Sequence, residues 1–444
     1  MEIIVFGGGY VGLVQAAGLA STGNEVTIAE VDDDKITQIN SGQAPFYEPQ
    51  LPELLSKGVE QSQLRAVKVG SDEFDKRLKS AEIIFIAVQT PESSDGSADL
   101  KYVFEVVDTI SKLPGDLSDR VVVMKSTVPV GTGDAVENRF NTHGKNPIVA
   151  SNPEFLKQGS AVRDFMQPER VIIGSENERA QELLSYIYKP FMLKRERIIC
   201  MGRRSAELVK YACNAFLATK ISFINEISQL AEMIGADIRD IRRGMITDSR
   251  IGDQFLFPGV GFGGSCFPKD TISLVHQGEK FSVPMRIPQA VDQVNKRQRT
   301  WALLNLKDIF KELKDKSIAI WGLSFKPKTD DLREAPSVYL IEELIKAGAK
   351  VRAHDPIAID RAKTLLAKHS SKIQYFEDMY AAAESADALV LMTEWHEYRS
   401  PSFKKLSEIL KNKIILDGRN VFGPEITRQY GFRYRGVGIP ENLK

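Results

Sequence analysis

The chain has 444 residues, with 59 lysines and arginines against 59 aspartates and glutamates. That length supports two or three domains with cores of their own, and the charge balance removes any bulk electrostatic case for a nucleic-acid or anionic-membrane partner. Cys200, Cys213 and Cys266 are too scattered for a disulfide framework, the five histidines have no metal-ligand spacing, and no apolar run approaches the roughly 20 residues a membrane helix needs.

The first element is the strand EIIVF (2–6), cut off by glycines rather than extended as a secretory leader, so a cytoplasmic protein is expected. It leads into Gly7-Gly8-Gly9-Tyr10-Val11-Gly12, then the helix-compatible LVQAAGLAST, then the strand EVTIA ending in Glu30. Strand, glycine turn, helix, strand and acid in that order make a dinucleotide site. Gly7 permits the tight turn, Gly9 lets a pyrophosphate approach the helix N-terminus, and Gly12 allows the helix to pack closely on the strand. Glu30 is placed to hold a ribose 2′-hydroxyl and to repel a 2′-phosphate, which favours NAD over NADP.

AEIIFIAVQTP (81–91) and DRVVVMKSTVPVG (119–131) read as further strands, each ending in polar residues where a ligand crevice belongs. From Ser205, an expected N-cap, to Gly235, an expected stop, the chain has no proline or internal glycine and is apolar around most of a helical circumference. Such a helix is expected to be buried, packed on both α/β domains and on another subunit. Lys210 and Asn214 stand one turn apart on it, and a lysine between Val209 and Tyr211 in so apolar a helix is a site candidate.

PGVGFGGSCFPKD (258–270) follows. Its glycines bring backbone close to whatever lies beside Cys266, and Lys269 and Asp270 set a cation and a carboxylate within a helical turn of the thiol. A lone cysteine is more often a small buried hydrophobe. A thiol with an ordinary pKa of about 8.5 needs a cation or a base beside it to act as a nucleophile near neutral pH, and this loop offers both. After residue 316 the α/β pattern returns in SIAIWGLSF, EAPSVYLIEELIKAGA, KVRAHDP, ADALVLMTEW and NKIILDGRN. There Gly322-Leu323-Ser324-Phe325-Lys326 stands in place of GxGxxG, so this part is expected to bind a phosphate-bearing ligand other than a dinucleotide. The expected fold class is α/β, with two doubly wound Rossmann-like parallel-sheet domains joined by a long central helix and helical core.

Taken together, GGGYVG (7–12), VQTP (88–91), KSTVPVGT (125–132), SNPEFL (151–156), KYACNAFLATKISFINEI (210–227), PGVGFGGSCFPKD, WGLSFKPKTDDLREAPS (321–337) and DGRN (417–420) resemble the UDP-glucose/GDP-mannose dehydrogenase family from end to end. The resemblance implies an NAD-binding domain over 1–200, a central helical domain with the catalytic loop and dimer contacts over 201–300, and a UDP-sugar-binding domain over 301–444. It implies oxidation of a nucleotide sugar's C6 alcohol to a carboxylate, with two NAD consumed and a cysteine thioester formed, in a homodimer or higher homo-oligomer. Cys266 then matches the nucleophile, Lys210 and Asn214 the groups that stabilise the oxyanion, Asp270 the carboxylate that handles a proton or the water, and Thr127 and Glu154 residues around that water. Base duty stays open among Lys210, Glu154 and Asp270.

On the cofactor side the glycine turn with Tyr10 and Val11 is joined by Glu30, Lys35, Thr90, Thr127, Gln158, Lys269 and Arg333. On the substrate side the matches are Glu154, Phe155, Leu156, Lys157, Lys210, Asn214, Phe257, Gly259, Gly261, Phe262, Gly263, Lys326 and Arg419, with Arg250 expected from a neighbouring subunit. Two positions depart from the family pattern: Glu30 replaces a more usual aspartate, and Gln158 a frequent glutamate. The cysteine loop resembles the UDP-glucose branch, whereas the N-acetyl sugar branch has a GGHC type of loop. GDP-mannose and UDP-N-acetylhexosamine remain the nearest rival substrates. A non-catalytic dinucleotide sensor would be expected to have lost reactive residues that are all present. No metal is expected.

Overall fold

Short apolar runs between glycine, proline and polar segments build two separate sheets in this computed structural model, which describes residues 1–93, 96–192, 195 and 197–441. The chain divides into two units, Met1–Cys213 and Asn214–Lys444. The first contains β1 (Glu2–Phe6), β2 (Glu25–Glu30), β3 (Leu64–Lys68), β4 (Ile83–Ile86), β5 (Val121–Met124), β6 (Ile148–Ser151), β7 (Val171–Gly174) and β8 (Ile198–Met201). Their spatial order is β3-β2-β1-β4-β5-β6-β7-β8. Its first six positions are the doubly wound order, which leaves a ligand crevice at the carboxyl ends of β1 and β4. All pairs are parallel except β6 and β7, which meet antiparallel at Ser151 and Gly174.

Ile4, Val5, Ile84 and Phe85 are fully buried because helices cover both faces of the sheet. One face packs on Leu13, Val14 and Phe165, the other on Phe74, Val107 and Phe140. The second unit holds β9 (Ser317–Trp321), β10 (Lys350–His354), β11 (Ile373–Tyr375), β12 (Ala388–Leu391), β13 (Ile414–Asp417) and β14 (Arg433–Gly436). Their order β11-β10-β9-β12-β13-β14 is again the doubly wound one, here with every pair parallel. The expected α/β class with two Rossmann-like sheets is what the structure has.

Two local expectations need correction. The polar tails of 81–91 and 119–131 are not strand: β4 ends at Ile86 and β5 at Met124, and the proline- and glycine-containing remainder forms crevice loops. The long helix starts at Arg203 rather than after Ser205, because Glu176 accepts the Arg203 backbone N–H from outside and satisfies a first-turn donor. In the single chain one face of that helix, Arg203–Ile234, is left exposed, the face available to the expected second subunit. Phe216, Phe223 and Leu230, spaced by seven, stand exposed with Met233 and Ile234. Its opposite side carries the buried Glu207, Lys210, Tyr211, Asn214 and Ala218. Among the described residues no helix is long and apolar enough to cross a membrane, and no group of three or more His, Cys, Asp or Glu could hold a metal ion.

Candidate active site

In the first unit the glycine turn follows directly from β1. Gly7 has φ +103°, and its N–H donates to Ala29 O at 2.9 Å, which ties the turn to the end of β2. A Cβ on Gly12 would lie 2.0 Å from Gly7 O, so only glycine lets the Tyr10–Ala20 helix sit this close to the turn. A Cβ on Gly9 would meet nothing within 4 Å. The space in front of the helix N-terminus is therefore open, as a bound pyrophosphate requires, and the residues present fit NAD.

Glu30, at the end of β2, turns its carboxylate back onto this turn. It accepts N–H bonds from Gly8 at 2.8 Å, Val31 at 2.8 Å and Asp32 at 3.3 Å, with the Lys35 ammonium 3.9 Å away. A carboxylate offers about four lone-pair sites, so a ribose hydroxyl would share Glu30 with the turn itself. Thr90 and Thr127, both expected on the cofactor side, are brought together after β4 and β5, where the Thr90 hydroxyl donates to Thr127 O at 2.9 Å.

The loop after β6 carries Glu154. Its carboxylate is buried and pairs with the Lys210 ammonium at 3.0 Å, while Oε2 accepts the Leu156 N–H. Lys210 lies 5.3 Å from the centre of the Phe155 ring, whose other neighbour is the Arg170 guanidinium at 4.0 Å. Lys157 is exposed and pairs with Asp164 at 3.4 Å, and Gln158 is half-buried. A cleft lined by Ser126, Thr127, Pro153, Glu207 and Lys210 opens beside this pair.

Two buried polar groups here were not singled out from the sequence. Glu207, one turn before Lys210, accepts the Gly131 and Gly133 N–H groups at 2.7 and 2.8 Å and fixes the loop that carries Thr127. Burial raises its carboxyl, against those bonds. Lys125 donates to Asn152 at 2.9 Å and to Tyr188 at 3.1 Å, which anchors the start of the Glu154 loop. Burial pulls its ammonium down to about 7, with Glu154 opposing the shift. The acidic and basic residue types were visible in the sequence, but nothing local distinguished them from surface charges.

In the second unit Cys266 is exposed and caps the Phe267–Lys280 helix, with Pro268 in its first turn. The positive end of a helix favours negative charge at such a sulfur. Asp270, one turn on, is 1% exposed. It accepts from the Asn214 amide at 2.6 Å and from Lys269 at 2.8 Å, so three of the expected site residues meet there. Arg333 is held charged mainly by Asp331, which it grips with Nε at 2.9 Å, and to a smaller extent by Cys266.

The glycine loop lies against the turn after β13, where the Val260 N–H donates to Gly418 O at 3.0 Å. Gly259 N–H donates to Asn225 at 2.8 Å, and Phe262 exchanges bonds with Asn295 at 2.8 and 3.1 Å. Gly261 has φ +95°, and a Cβ on Gly263 would fall 2.3 Å from Glu334 O. Arg419, in the turn after β13, donates to Met392 O at 2.8 Å, to Gly261 O at 3.4 Å and to Phe325 O at 3.3 Å. It thereby links two segments predicted to face substrate, those of Gly261 and Lys326, to the end of β12. Asp417 at the same turn accepts the Arg419 and Phe422 N–H groups, and burial pushes its carboxyl up to about 6. Lys326 lies 5.5 Å from the Phe325 ring centre. Phe257 is exposed, with Arg242 over its ring at 4.0 Å. Arg250 stands apart: its side chain is 88% exposed and grips Asp248 at 2.6 Å.

Three family models match the chain in succession. They are the NAD binding domain of the UDP-glucose/GDP-mannose dehydrogenase family over residues 1–192, its central domain over 204–297 and its UDP binding domain over 319–424. A UDP-glucose 6-dehydrogenase of Pseudomonas aeruginosa is 44% identical over 99% of this chain and 98% of its own length. One from Bacillus subtilis is 40% identical over 99% and 93%. Among solved structures, a UDP-glucose dehydrogenase from the archaeon Pyrobaculum islandicum superposes with a TM-score of 0.89 at 35% identity, covering 98% of this chain and 97% of that one.

Proposed function

The chain belongs to the UDP-glucose/GDP-mannose dehydrogenase family and contains its NAD-binding domain, and on that premise we propose that it oxidises the C6 alcohol of UDP-glucose to the carboxylate of UDP-glucuronate. The observation that carries this reading is the meeting of Asn214, Lys269 and Asp270 one helical turn from an exposed Cys266. NAD, when bound, takes up a hydride, and an alcohol must give up two to become a carboxylate. The glycine turn, Glu30, Lys35, Thr90, Thr127, Gln158, Lys269 and Arg333 would hold it.

The rest is the work of the side chains. One of Lys210, Glu154 and Asp270 removes the C6 hydroxyl proton in the first oxidation. The Cys266 sulfur then bonds to the aldehyde carbon, and the carbonyl oxygen takes a proton to give a thiohemiacetal. Lys210 and Asn214 supply donors for the negative charge that develops on that oxygen. After the second oxidation the carbon is held as a thioester. A water positioned by Thr127 and Glu154 attacks it, the carbon–sulfur bond breaks, and the sulfur leaves with a proton.

Phe257, Gly259, Gly261, Phe262, Gly263, Lys326 and Arg419, with residues 154–157, hold the nucleotide sugar. Three domains, over 1–200, 201–300 and 301–444, divide the work. The exposed stripe on the Arg203–Ile234 helix supports a homodimer in which Arg250 reaches the neighbouring subunit's substrate. The experiment is to mix the protein with NAD and a panel of nucleotide sugars and follow absorbance of the reduced cofactor. UDP-glucose should be turned over well ahead of GDP-mannose and UDP-N-acetylhexosamines, and a preference for either rival would overturn the assignment.

A further inference from the structure

Glu48 lies in the connection between the Asp33–Asn40 and Leu51–Glu60 helices, in a segment, PFYEPQ, that neither the cofactor turn nor the catalytic loops account for. It is 2% exposed. A carboxylate so buried is costly unless donors surround it. Here they come from two distant parts of the first unit. The Tyr10 hydroxyl donates to Oε2 in a short bond, the Gly159 N–H to the same oxygen at 2.6 Å, and the Ala161 N–H to Oε1 at 2.7 Å. The phenol is also 3.4 Å from Lys157 O, and its ring packs on Phe46 with centroids 5.2 Å apart.

Burial and the Glu48 carboxylate both push the Tyr10 phenol up, so it remains a donor throughout the working pH range. Tyr10 opens the helix that follows the glycine turn, and residues 159–161 close the loop that begins at Glu154. The chain just before that loop is fixed by Lys125 through Asn152, and the loop's start by Lys210 through Glu154. Its far end is held locally by Asp164, which accepts the Lys157 N–H at 2.9 Å and the Ser160 hydroxyl at 3.2 Å, and from a distant segment by Glu48.

We propose that Glu48 is a positioning residue that ties the cofactor turn, through Tyr10, to the far end of the 154–161 loop, so that both are held in one geometry when the nucleotide sugar binds. This rests on the roles given above to Tyr10 and to residues 154–158. An amide at position 48 can accept from one of the two N–H groups only by pointing its own NH₂ toward the other, so Glu48→Gln breaks the anchor while keeping its size.

The test has two independent arms. Hydrogen exchange of the ligand-free protein reads the anchor itself: Glu48→Gln should speed exchange in the peptide containing Gly159 and Ala161 about tenfold or more, with peptides of β1 and β4 unchanged. Steady-state kinetics read its purpose: KM for UDP-glucose should rise about tenfold, with a smaller fall in kcat. Tyr10→Phe, which removes a single hydroxyl, should move both readouts in the same direction by less and serves if Glu48→Gln folds poorly. Adding Tyr10→Phe to Glu48→Gln should cost little more than Glu48→Gln alone. Unchanged exchange would overturn the anchor, and faster exchange with unchanged KM and kcat would overturn the positioning role. Failure of the wild-type protein to oxidise UDP-glucose would instead refute the substrate assignment and leave the exchange result standing.

Discussion

Replacing Lys210 by methionine strands the Glu154 carboxylate in a buried site. The two side chains are 5% and 7% exposed and 3.0 Å apart, so at an effective dielectric constant of about 20 their gross attraction is roughly 5 kcal/mol. Most of that offsets the desolvation of two ions, and the intact pair contributes far less than the gross figure. Breaking it is different, because the remaining ion keeps its desolvation cost and loses its partner. Lys210→Met and Glu154→Gln are each expected to lose about 3–5 kcal/mol, while the double variant, with neither charge present, should lose only about 1–2 kcal/mol. For a unit of this size each single variant should melt on the order of 10 °C below the wild type. The assay is a double-mutant cycle by urea unfolding at constant pH, with the coupling energy taken from the four midpoints. Losses that add to within about 0.5 kcal/mol would refute the pair and the electrostatic reasoning built on it.

Buried Lys125 gives a pH signature. Its folded-state pKa, about 7, lies below the roughly 10.4 of an unfolded chain, so the unfolded state binds the extra proton between these values and stability from this group rises with pH across that window. Lys125→Met should therefore gain relative to the wild type by about 1 kcal/mol for each unit that pH falls from 9 to 8, and a pH-independent difference between the two would contradict this. Gly9→Ala should leave stability within about 0.5 kcal/mol, because its Cβ enters open space, yet weaken NAD binding measured by titration. Gly12→Ala, whose Cβ would strike Gly7 O, should instead cost about 1–3 kcal/mol by unfolding, and a reversed ranking would remove the close-packing account of the turn. Arg250→Ala should raise KM for UDP-glucose with NAD binding intact, and mixing it with Cys266→Ala should restore some activity if subunits exchange. Unchanged kinetics for Arg250→Ala would end its assignment to a shared site.

The cofactor turn and the cysteine loop were legible because their chemistry is written in nearly consecutive residues: glycines at 7, 9 and 12 around the start of a helix, and a thiol, a cation and a carboxylate from 266 to 270. Strand order was legible at the level of fold class, since alternating strands and helices permit few right-handed arrangements. The antiparallel step between β6 and β7 left no such mark. Glu48, Lys125 and Glu207 were missed for a different reason. Each binds groups far away in sequence, Glu48 reaching Ala161 across 113 positions, so their burial is a property of the folded unit alone. On the Arg203–Ile234 helix the sequence showed apolar residues on two faces but could not say which face meets the chain's own core and which stands exposed in the single chain.

The proposed covalent capture at Cys266 would turn an alcohol oxidation into a carboxylate-forming reaction, and it is tested most directly by counting reduced cofactor against product. The wild-type enzyme, run to completion on limiting UDP-glucose, should yield two NADH for each UDP-glucuronate, while Cys266→Ala, still folded and still binding NAD and UDP-glucose, should make no UDP-glucuronate. Cys213→Ser, with its sulfur against Arg170 at 3.6 Å, should keep the ratio of two. One NADH per substrate with free aldehyde released, or UDP-glucuronate formed at a comparable rate without the Cys266 sulfur, would contradict the account.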